Sequence, residues 1–580
     1  MSPQHIERRI PVTGATFPDT LHPLLQRVYA ARKIKNEAEL NNNLAALLDF
    51  HSFSNLDTAV ALLTDCLKEQ QRVLIVGDFD CDGATSTALG VRALRKLGAQ
   101  QVDYLVPNRF EYGYGLTPEI VTLAKERKPD LIITVDNGIS SLAGVAAARA
   151  AGIRVLVTDH HLPGTELPQA DAILDPNLPG DSFPSKCLAG VGVMFYLLLA
   201  LRAQLRNEKW FETCGIPELN LAEYLDIVAL GTVADLVPLD HNNRVLVAQG
   251  LARIRAGRGV PGIRALLEIG RRDASRLTAA DLGFAVAPRL NAAGRLTDMS
   301  LGIECLLTDD PERARQLAMQ LDQLNHERRE IESQMQEDAL RVLAGMRLHE
   351  DDPALPFGVC LFDEAWHQGV VGLVASRIKD RVHRPVIVFA RGEDGRLKGS
   401  ARSVRSVHIR DALQAISTRS PGLIEKFGGH AMAAGLTLEA DRFDTFAEAF
   451  DTEVRAWLSA DDRAGVIHTD GELAPEFMTL ECASLLREAG PWGQGFPEPC
   501  FDGVFHLLKR RLVGNGHLKL LLAELETDLR LEAIAFNETG EHLPADCRQV
   551  RIVYRPDVNE YRGERRLQLL VDHIEPVRGL

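Results

Sequence analysis

Residues 77–83 read GDFDCDG and follow directly on the apolar run Val73-Leu74-Ile75-Val76. Asp78, Asp80 and Asp82 occupy every second position, so a backbone that stayed extended would send all three carboxylates off one face. Like charges that close raise one another's pKa or require a counter-charge, and no Lys or Arg lies between Arg72 and Arg92. Two further apolar runs end in the same way, IITV in Asp136 and LVT in Asp159-His160-His161. If the three runs are neighbouring strands of one parallel sheet, Asp80, Asp82, Asp136 and the histidines converge, and bound cations answer the charge problem. Carboxylate oxygen and imidazole nitrogen suit Mn²⁺ or Mg²⁺, and a carboxylate such as Asp136 could bridge two ions. Asp235, in ALGTVADLVPL, could supply another ligand. Consecutive residues at a strand end point in different directions, so His160 and His161 divide the work: one can ligate while the other faces substrate.

Two other readings of DFDCDG fail on the residues around it. It matches the first six positions of an EF-hand loop, but the twelfth is Leu89, where a bidentate Glu is required. It also resembles the nucleophile segment of the haloacid-dehalogenase phosphatases, which leaves Asp159-His160-His161 without a role.

From residue 71 onward the chain alternates β-type runs with helical segments. RVLIVG precedes the helical stretch ATSTALGVRALRKLG, and QVDYLVP precedes a helix opened by Thr117, Pro118 and Glu119. DLIITVD, SLAGVAAARAAG and RVLVTDHH repeat the order. This is the pattern of βαβ units, a parallel sheet covered by helices on both faces, in which ligands collect at the carboxyl ends of the strands. Residues 309–343 read as one long, largely exposed helix joining two lobes. A second, smaller α/β block follows, and the last stretch holds five β-type runs separated by turns, as in an OB-type barrel that grips a single strand.

The chain has 580 residues, more than one core accommodates, and about 150 residues per domain suggests three to four units. A net charge of −15 argues against binding nucleic acid through overall charge, yet Arg271, Arg272 and Arg276, Arg402, Arg405 and Arg410, and Lys509-Arg510-Arg511 could form local basic patches. Nine scattered cysteines with no CxxC pair indicate neither a disulfide framework nor a structural zinc site. With no apolar run of membrane-spanning length and no apolar signal core at the start, a cytoplasmic protein is expected.

The DFDCDG, VDNG and VTDHH segments together resemble the DHH phosphoesterase superfamily. NRFEYGYGL (108–116), PRLNAAGR (288–295), WHQGVVGLVASRI (366–378), GSARS (399–403) and KFGGHAMAAG (426–435) extend the resemblance to the RecJ single-strand-specific DNA exonucleases, over most of residues 50–580. The resemblance implies an N-terminal extension (1–50), a DHH phosphoesterase domain (51–308), a connecting helix (309–345), a DHH-associated substrate-binding domain (346–460) and an OB-type barrel (461–580). It implies 5′→3′ degradation of single-stranded DNA to mononucleotides in repair and recombination, with Mn²⁺ or Mg²⁺, by a monomer working beside single-strand-binding protein and a helicase. Asp80 and Asp235 would hold one ion, Asp82 and His160 the other, and Asp136 would bridge them. Asp78 is a provisional ligand, His161 would face the scissile phosphate, and Asp159 would support the ligands. Many relatives carry histidine where this chain has Val76, which cannot ligate, so one cation site would be weaker.

In the substrate-binding lobe Ser400 and Arg402 alternate on one face and could clamp a terminal phosphate. Arg109 and Tyr112 or Tyr114 could join them, the tyrosines by stacking a base. Gly429 and His430 would let backbone amides and an imidazole approach phosphate. Arg289, Asn291 and Arg295 could line the strand's path or serve as structural partners, and Trp366 and His367 could equally be core and turn residues. Lys509, Arg510, Arg511 and Lys519 are candidate backbone contacts on the barrel. The rival functions are a phosphodiesterase of short oligonucleotides or cyclic dinucleotides, which would not need the barrel, and a non-catalytic nucleic-acid-binding member, against which the intact ligand set argues.

Overall fold

A computed structural model describes residues 4–108, 111–112, 115–345, 356–392, 394–458, 465–514, 516–527, 529–561 and 563–577. The chain forms two compact units, one of residues 8–323 with 469–580 and one of residues 1–7 with 324–468. In the first, the apolar runs form five strands: β1 (Val73–Gly77), β2 (Val102–Leu105), β3 (Leu131–Val135), β4 (Arg154–Thr158) and β5 (Ala172–Leu174). They make one parallel sheet in the order β2-β1-β3-β4-β5. Every residue of β1 and β3 is buried, as helices on both faces require. Val76 belongs to this core with Leu74, Leu116, Ile120 and Ile139, and its side chain is fully buried.

The extended backbone expected through GDFDCDG does not persist. β1 ends at Gly77, and Asp80 caps helix α1 (Cys81–Lys96), its Oδ1 accepting the amides of Asp82 at 2.9 Å and Gly83 at 3.0 Å. An aspartate followed by helix-forming residues gains more by capping than by extending the strand. Thr117 caps the helix Pro118–Glu126 in the same way, with Pro at its start.

The barrel is closed and five-stranded, in the order β11-β12-β13-β15-β14 for β11 (Phe501–Val513), β12 (His517–Glu524), β13 (Arg530–Ala535), β14 (Gln549–Tyr561) and β15 (Glu564–Pro576). All five β-type runs therefore become strands. Residues read from sequence only as an extension are built into this unit. Arg32 lays both terminal nitrogens on Asp470, at 2.9 and 3.1 Å, donates Nε to the Pro497 carbonyl and sits over the Trp492 ring. The Tyr29 hydroxyl donates to the Ala489 carbonyl, and the Leu239 amide donates to that of Gln494.

In the second unit β6 (Val359–Phe362), β7 (Val386–Arg391), β8 (Leu397–Arg402), β9 (Lys426–Gly429) and β10 (Ala433–Leu438) form a sheet in the order β9-β10-β8-β7-β6. Only β6 and β7 run parallel. The long helix expected over 309–343 spans Pro311–Gly345. It is less exposed than its charge density suggests: Ala314, Leu317, Ala318 and Leu321 are buried in the first unit and Met335 and Ala339 in the second.

Candidate metal centre and strand-contact residues

The sheet order places β1 beside β3 although the chain visits β2 between them, and that reversal is where open α/β sheets hold ligands. Register pairs Gly77 with Val135 and Val135 with Thr158, so the residues following β1, β3 and β4 emerge side by side. These are Asp78 to Asp82, Asp136, and Asp159 to His161. Asp136 has a φ of 60°, a left-handed conformation that costs a non-glycine residue about 1–2 kcal/mol. Its amide donates to the Thr158 carbonyl at 3.1 Å, which fixes the backbone from which the carboxylate projects.

His160 stands at the centre. Its Nε2 lies 3.0 Å from Asp136 Oδ1, 3.5 Å from Asp235 Oδ2 and 4.0 Å from Asp82 Oδ2. Three sets of donor atoms fall within 4.8 Å of one another: Asp82 with His160 and Asp235, Asp78 with Asp80 and Asp136, and Asp136 with His160 and His161. Asp136 thus belongs to two sets with different partners. Asp235 groups with Asp82 and His160 rather than with Asp80, and Asp78 joins Asp80, which differs from the pairing implied by resemblance.

Each of these candidate ligands is held by a local device. Asp82, in the first turn of α1, accepts the Gly190 amide on Oδ2 at 2.6 Å and the Val191 amide on Oδ1 at 3.0 Å, from the amino end of α2 (Gly190–Asn207). A Cβ at Gly190 would lie 2.7 Å from the Asp136 Cβ, so no larger residue fits without displacing that aspartate. Asp235 caps the carboxyl end of α3 (Leu225–Ala234), where the helix dipole opposes an anion unless a cation balances it. The His160 carbonyl accepts Asn177 Nδ2 at 2.6 Å.

Burial, followed by the charge of Asp80, pushes the Asp82 carboxyl up to about 7. Burial and then the surrounding carboxylates push Asp136 and Asp235 well above the ordinary range. A buried set of acids that raise one another's pKa, with imidazole among them, is the donor chemistry of a hard divalent cation site, and Mn²⁺ or Mg²⁺ fits it. His161 is tuned differently. Burial disfavours its charge, but its Nδ1 lies 2.7 Å from Asp159 Oδ1, and that partner prevails, raising the imidazole to about 9. Burial likewise opposes ionisation of Asp159, and the His161 hydrogen bond and charge outweigh it, leaving the carboxyl below its ordinary value. Asp159 also accepts the amides of Ile139 and His160, so it orients both histidines.

The strand-contact expectations divide. Arg109 and Tyr114 lie outside the described residues. Arg289 is only 9% exposed, pairs with Asp322 at 2.8 Å and donates to the Ala285 carbonyl, so a role along the strand's path finds no support in its placement. Asn291 Oδ1 accepts the Cys81 amide at 2.8 Å, which makes it a clamp on the loop that carries Asp78, Asp80 and Asp82; Arg295 is partly exposed one turn further along α4 (Ala287–Leu296). Trp366 is buried and His367 accepts the Gly369 amide, the core and turn roles. In the second unit Arg402 donates to Ser400 Oγ at 3.0 Å. Register sets Ala433 opposite Arg402 and Ala434 opposite both Ala401 and Gly429, bringing Ser400, Arg402, Gly429 and exposed His430 to one end of the sheet. On the barrel Lys509 and Arg511 are exposed, Arg510 donates to the Leu543 carbonyl, and Lys519 pairs with Glu532. Sequence reasoning missed Gly190, Val191 and Asn177; the small-residue run AGVGV at 189–193, opening an apolar helix, was the available signal.

A doubly wound parallel sheet with carboxylates and histidines gathered at its reversal point defines a phosphoesterase of the DHH type. The domain described as DHH family, N-terminal domain matches residues 72–232, the DHHA1 domain matches 355–456, and the RecJ OB domain matches 469–573. The chain is 56% identical over 571 residues to the single-stranded-DNA-specific exonuclease RecJ of Dickeya dadantii, covering 98% of this chain and 99% of that one. It is 53% identical to RecJ of Escherichia coli, covering 99% of each. Among solved structures, RecJ from Thermus thermophilus in complex with Mn²⁺ superposes with a TM-score of 0.79 at 29% identity, covering 99% of this chain and 80% of that one. The Mg²⁺ complex from the same organism gives 0.74 at 28% identity, covering 99% and 78%. The chain belongs to the RecJ family. No helix among the described residues is long and apolar enough to cross a membrane.

Proposed function

We propose that this protein is a single-stranded-DNA-specific exonuclease that hydrolyses phosphodiester bonds from the 5′ end, releases mononucleotides and acts in DNA repair and recombination. The observation that carries this is the convergence of Asp78, Asp80, Asp82, Asp136, His160 and Asp235 at the sheet reversal, in a chain matched along its length by RecJ exonucleases. These six side chains would hold the cations. Mn²⁺ or Mg²⁺ bound there supplies the water activation and charge neutralisation that phosphodiester hydrolysis needs. His161, kept protonated by Asp159, donates to the phosphate. Ser400, Arg402, Gly429 and His430 form the pocket for the 5′ terminal phosphate, and Lys509 and Arg511 hold the strand further along. The protein works in the cytoplasm as a monomer beside single-strand-binding protein and a helicase.

Digestion of end-labelled single-stranded, duplex and dinucleotide substrates, with and without Mn²⁺, tests the proposal. It expects rapid Mn²⁺-dependent loss of the single strand, a blunt duplex left intact, and a dinucleotide cut no faster than the strand. Preference for the dinucleotide would make the protein an oligonucleotide phosphodiesterase instead.

A further inference from the structure

Two large apolar side chains stand in solvent on elements that adjoin the carboxylate cluster, and nothing in the proposed hydrolysis uses them. Phe284 is 76% exposed and Leu236 is 71% exposed. Leu236 directly follows Asp235 and holds the left-handed conformation, φ 58°, as the chain leaves α3; that position favours glycine, and a leucine there is held out from the helix at a cost in strain. Phe284 lies in a single π-helical turn, Leu282–Val286, between the short helix Ala279–Asp281 and α4. The turn has a local cause. Pro288 has no amide proton, so the Phe284 carbonyl lacks its usual donor four residues on, and the helix widens there. Leu282, Ala285 and Val286 point into the core and leave Phe284 outside.

The two features adjoin. The backbone at Gly283 comes so close to α3 that a Cβ there would lie 3.3 Å from Val233 Cγ1, two residues before the ligand Asp235. α4, which continues from the π-turn, holds the metal-site loop through Asn291 and through Gly294, whose Cβ would fall 1.8 Å from the Phe79 carbonyl oxygen. On the other side of the turn, Gly270 packs 3.4 Å from Ala285 by the same measure, and exposed Arg271 and Arg272 follow it, Arg272 with its Nε 3.4 Å from Asp281 Oδ1. An apolar ring, a strained leucine and a basic pair next to a divalent cation site match one kind of occupant: a polyanion with planar bases. π-turns inside helices are frequent at functional sites, and aromatic side chains hold single strands by stacking without regard to base identity.

The geometry points to Phe284 and Leu236 as a platform on which a nucleobase of the single strand stacks while its phosphates pass the cation site, with Arg271 and Arg272 along the backbone. This rests on the strand-degrading function proposed above. Such a platform takes an unpaired base, because a base inside a duplex has no free face to offer.

The test compares the full-length protein with Phe284→Ala and Phe284→Trp on single strands, either intact or carrying one abasic residue moved stepwise from the 5′ end. The parent should show a KM raised about five- to hundredfold when the abasic residue occupies the platform position. Phe284→Ala should raise KM on the intact strand by a similar factor and be insensitive to the abasic residue, and Phe284→Trp should restore both properties. Phe284→Ala with parental KM, or with the abasic penalty undiminished, would overturn the platform. So would a change in oligomeric state in Phe284→Ala, which would make the patch a protein contact. A parent that cleaves no single strand would instead defeat the proposed function.

Discussion

At the scale of single residues, Asp82 and His161 are both held toward their protonated forms, the first by burial and the second, against burial, by the Asp159 carboxylate. Asp82, at about 7, holds a proton more readily than an ordinary aspartate, and His161, at about 9, holds one more readily than an ordinary histidine. In cation-free protein both bind more protons folded than unfolded, Asp82 between about pH 4 and 7 and His161 between about pH 6.5 and 9, so their stabilisation is lost as pH rises through those windows. Protein treated with chelator should therefore melt at a higher temperature at pH 6 than at pH 8. Because cations compete with protons for the cluster, the rise in melting temperature on adding Mn²⁺ should be larger at pH 8. Equal Mn²⁺ shifts at the two values would show that the cluster does not bind the ion. Arg402→Ala should slow cleavage of 5′-phosphorylated strands by roughly ten- to hundredfold, the loss of a charge-assisted hydrogen bond. Kinetics on 5′-phosphate and 5′-hydroxyl strands would detect it, and an equal loss on both would reduce Arg402 to a backbone contact.

At the scale of elements, the site depends on where a strand stops and a helix begins. Asp78, Asp80 and Asp82 reach their two donor sets not by strand alternation but by a turn that places Asp80 at a helix cap and Asp82 in the helix. That turn is held from outside by Asn291, which accepts the Cys81 amide, and by the close approach of Gly294 to Phe79. Gly294→Val should displace the loop, cost about 1–3 kcal/mol of stability and remove most Mn²⁺ affinity. Calorimetric Mn²⁺ titration with a parallel urea melt checks it, and unchanged affinity would show that α4 does not position the loop. The strands, the cap at Thr117, the long helix and the five-stranded barrel were legible in the sequence, because apolar runs and capping residues act locally. The grouping of Asp235 with Asp82 and the hold of Gly190 and Val191 on Asp82 were not. They depend on helices more than 100 positions away in the chain, and no local pattern encodes which helix end meets which carboxylate. For Arg289 the sequence left two readings open, because its partner Asp322 lies 33 positions on, in the long helix, and no local pattern encodes that pairing.

At the scale of the molecule, residues before the first sheet tie the barrel to the metal-site domain. Arg32 and Asp470 are both buried, and the pair meets in two parallel hydrogen bonds. Arg32→Met should cost about 1–3 kcal/mol in urea denaturation, since it strips buried Asp470 of its two-pronged partner and leaves it the Cys500 amide at 3.0 Å and Arg9 at 3.4 Å. A loss under 1 kcal/mol would mean that the N-terminal segment is dispensable to this unit. The resemblance in the sequence marked the domains but gave these residues no task, because the contacts that define it span most of the chain.

The central claim is that a cation cluster organised by Asp82 and Asp136 removes nucleotides from the 5′ end of a single strand. Time courses with Mn²⁺ on one strand labelled in turn at its 5′ and 3′ ends, for the parent and Asp82→Ala, test it most directly. The 5′ label should appear at once as mononucleotide while the 3′ label passes through a shortening ladder, and Asp82→Ala should do neither while still retaining the strand in a binding assay. Mononucleotide released first from the 3′ end, or full activity in Asp82→Ala, would contradict it.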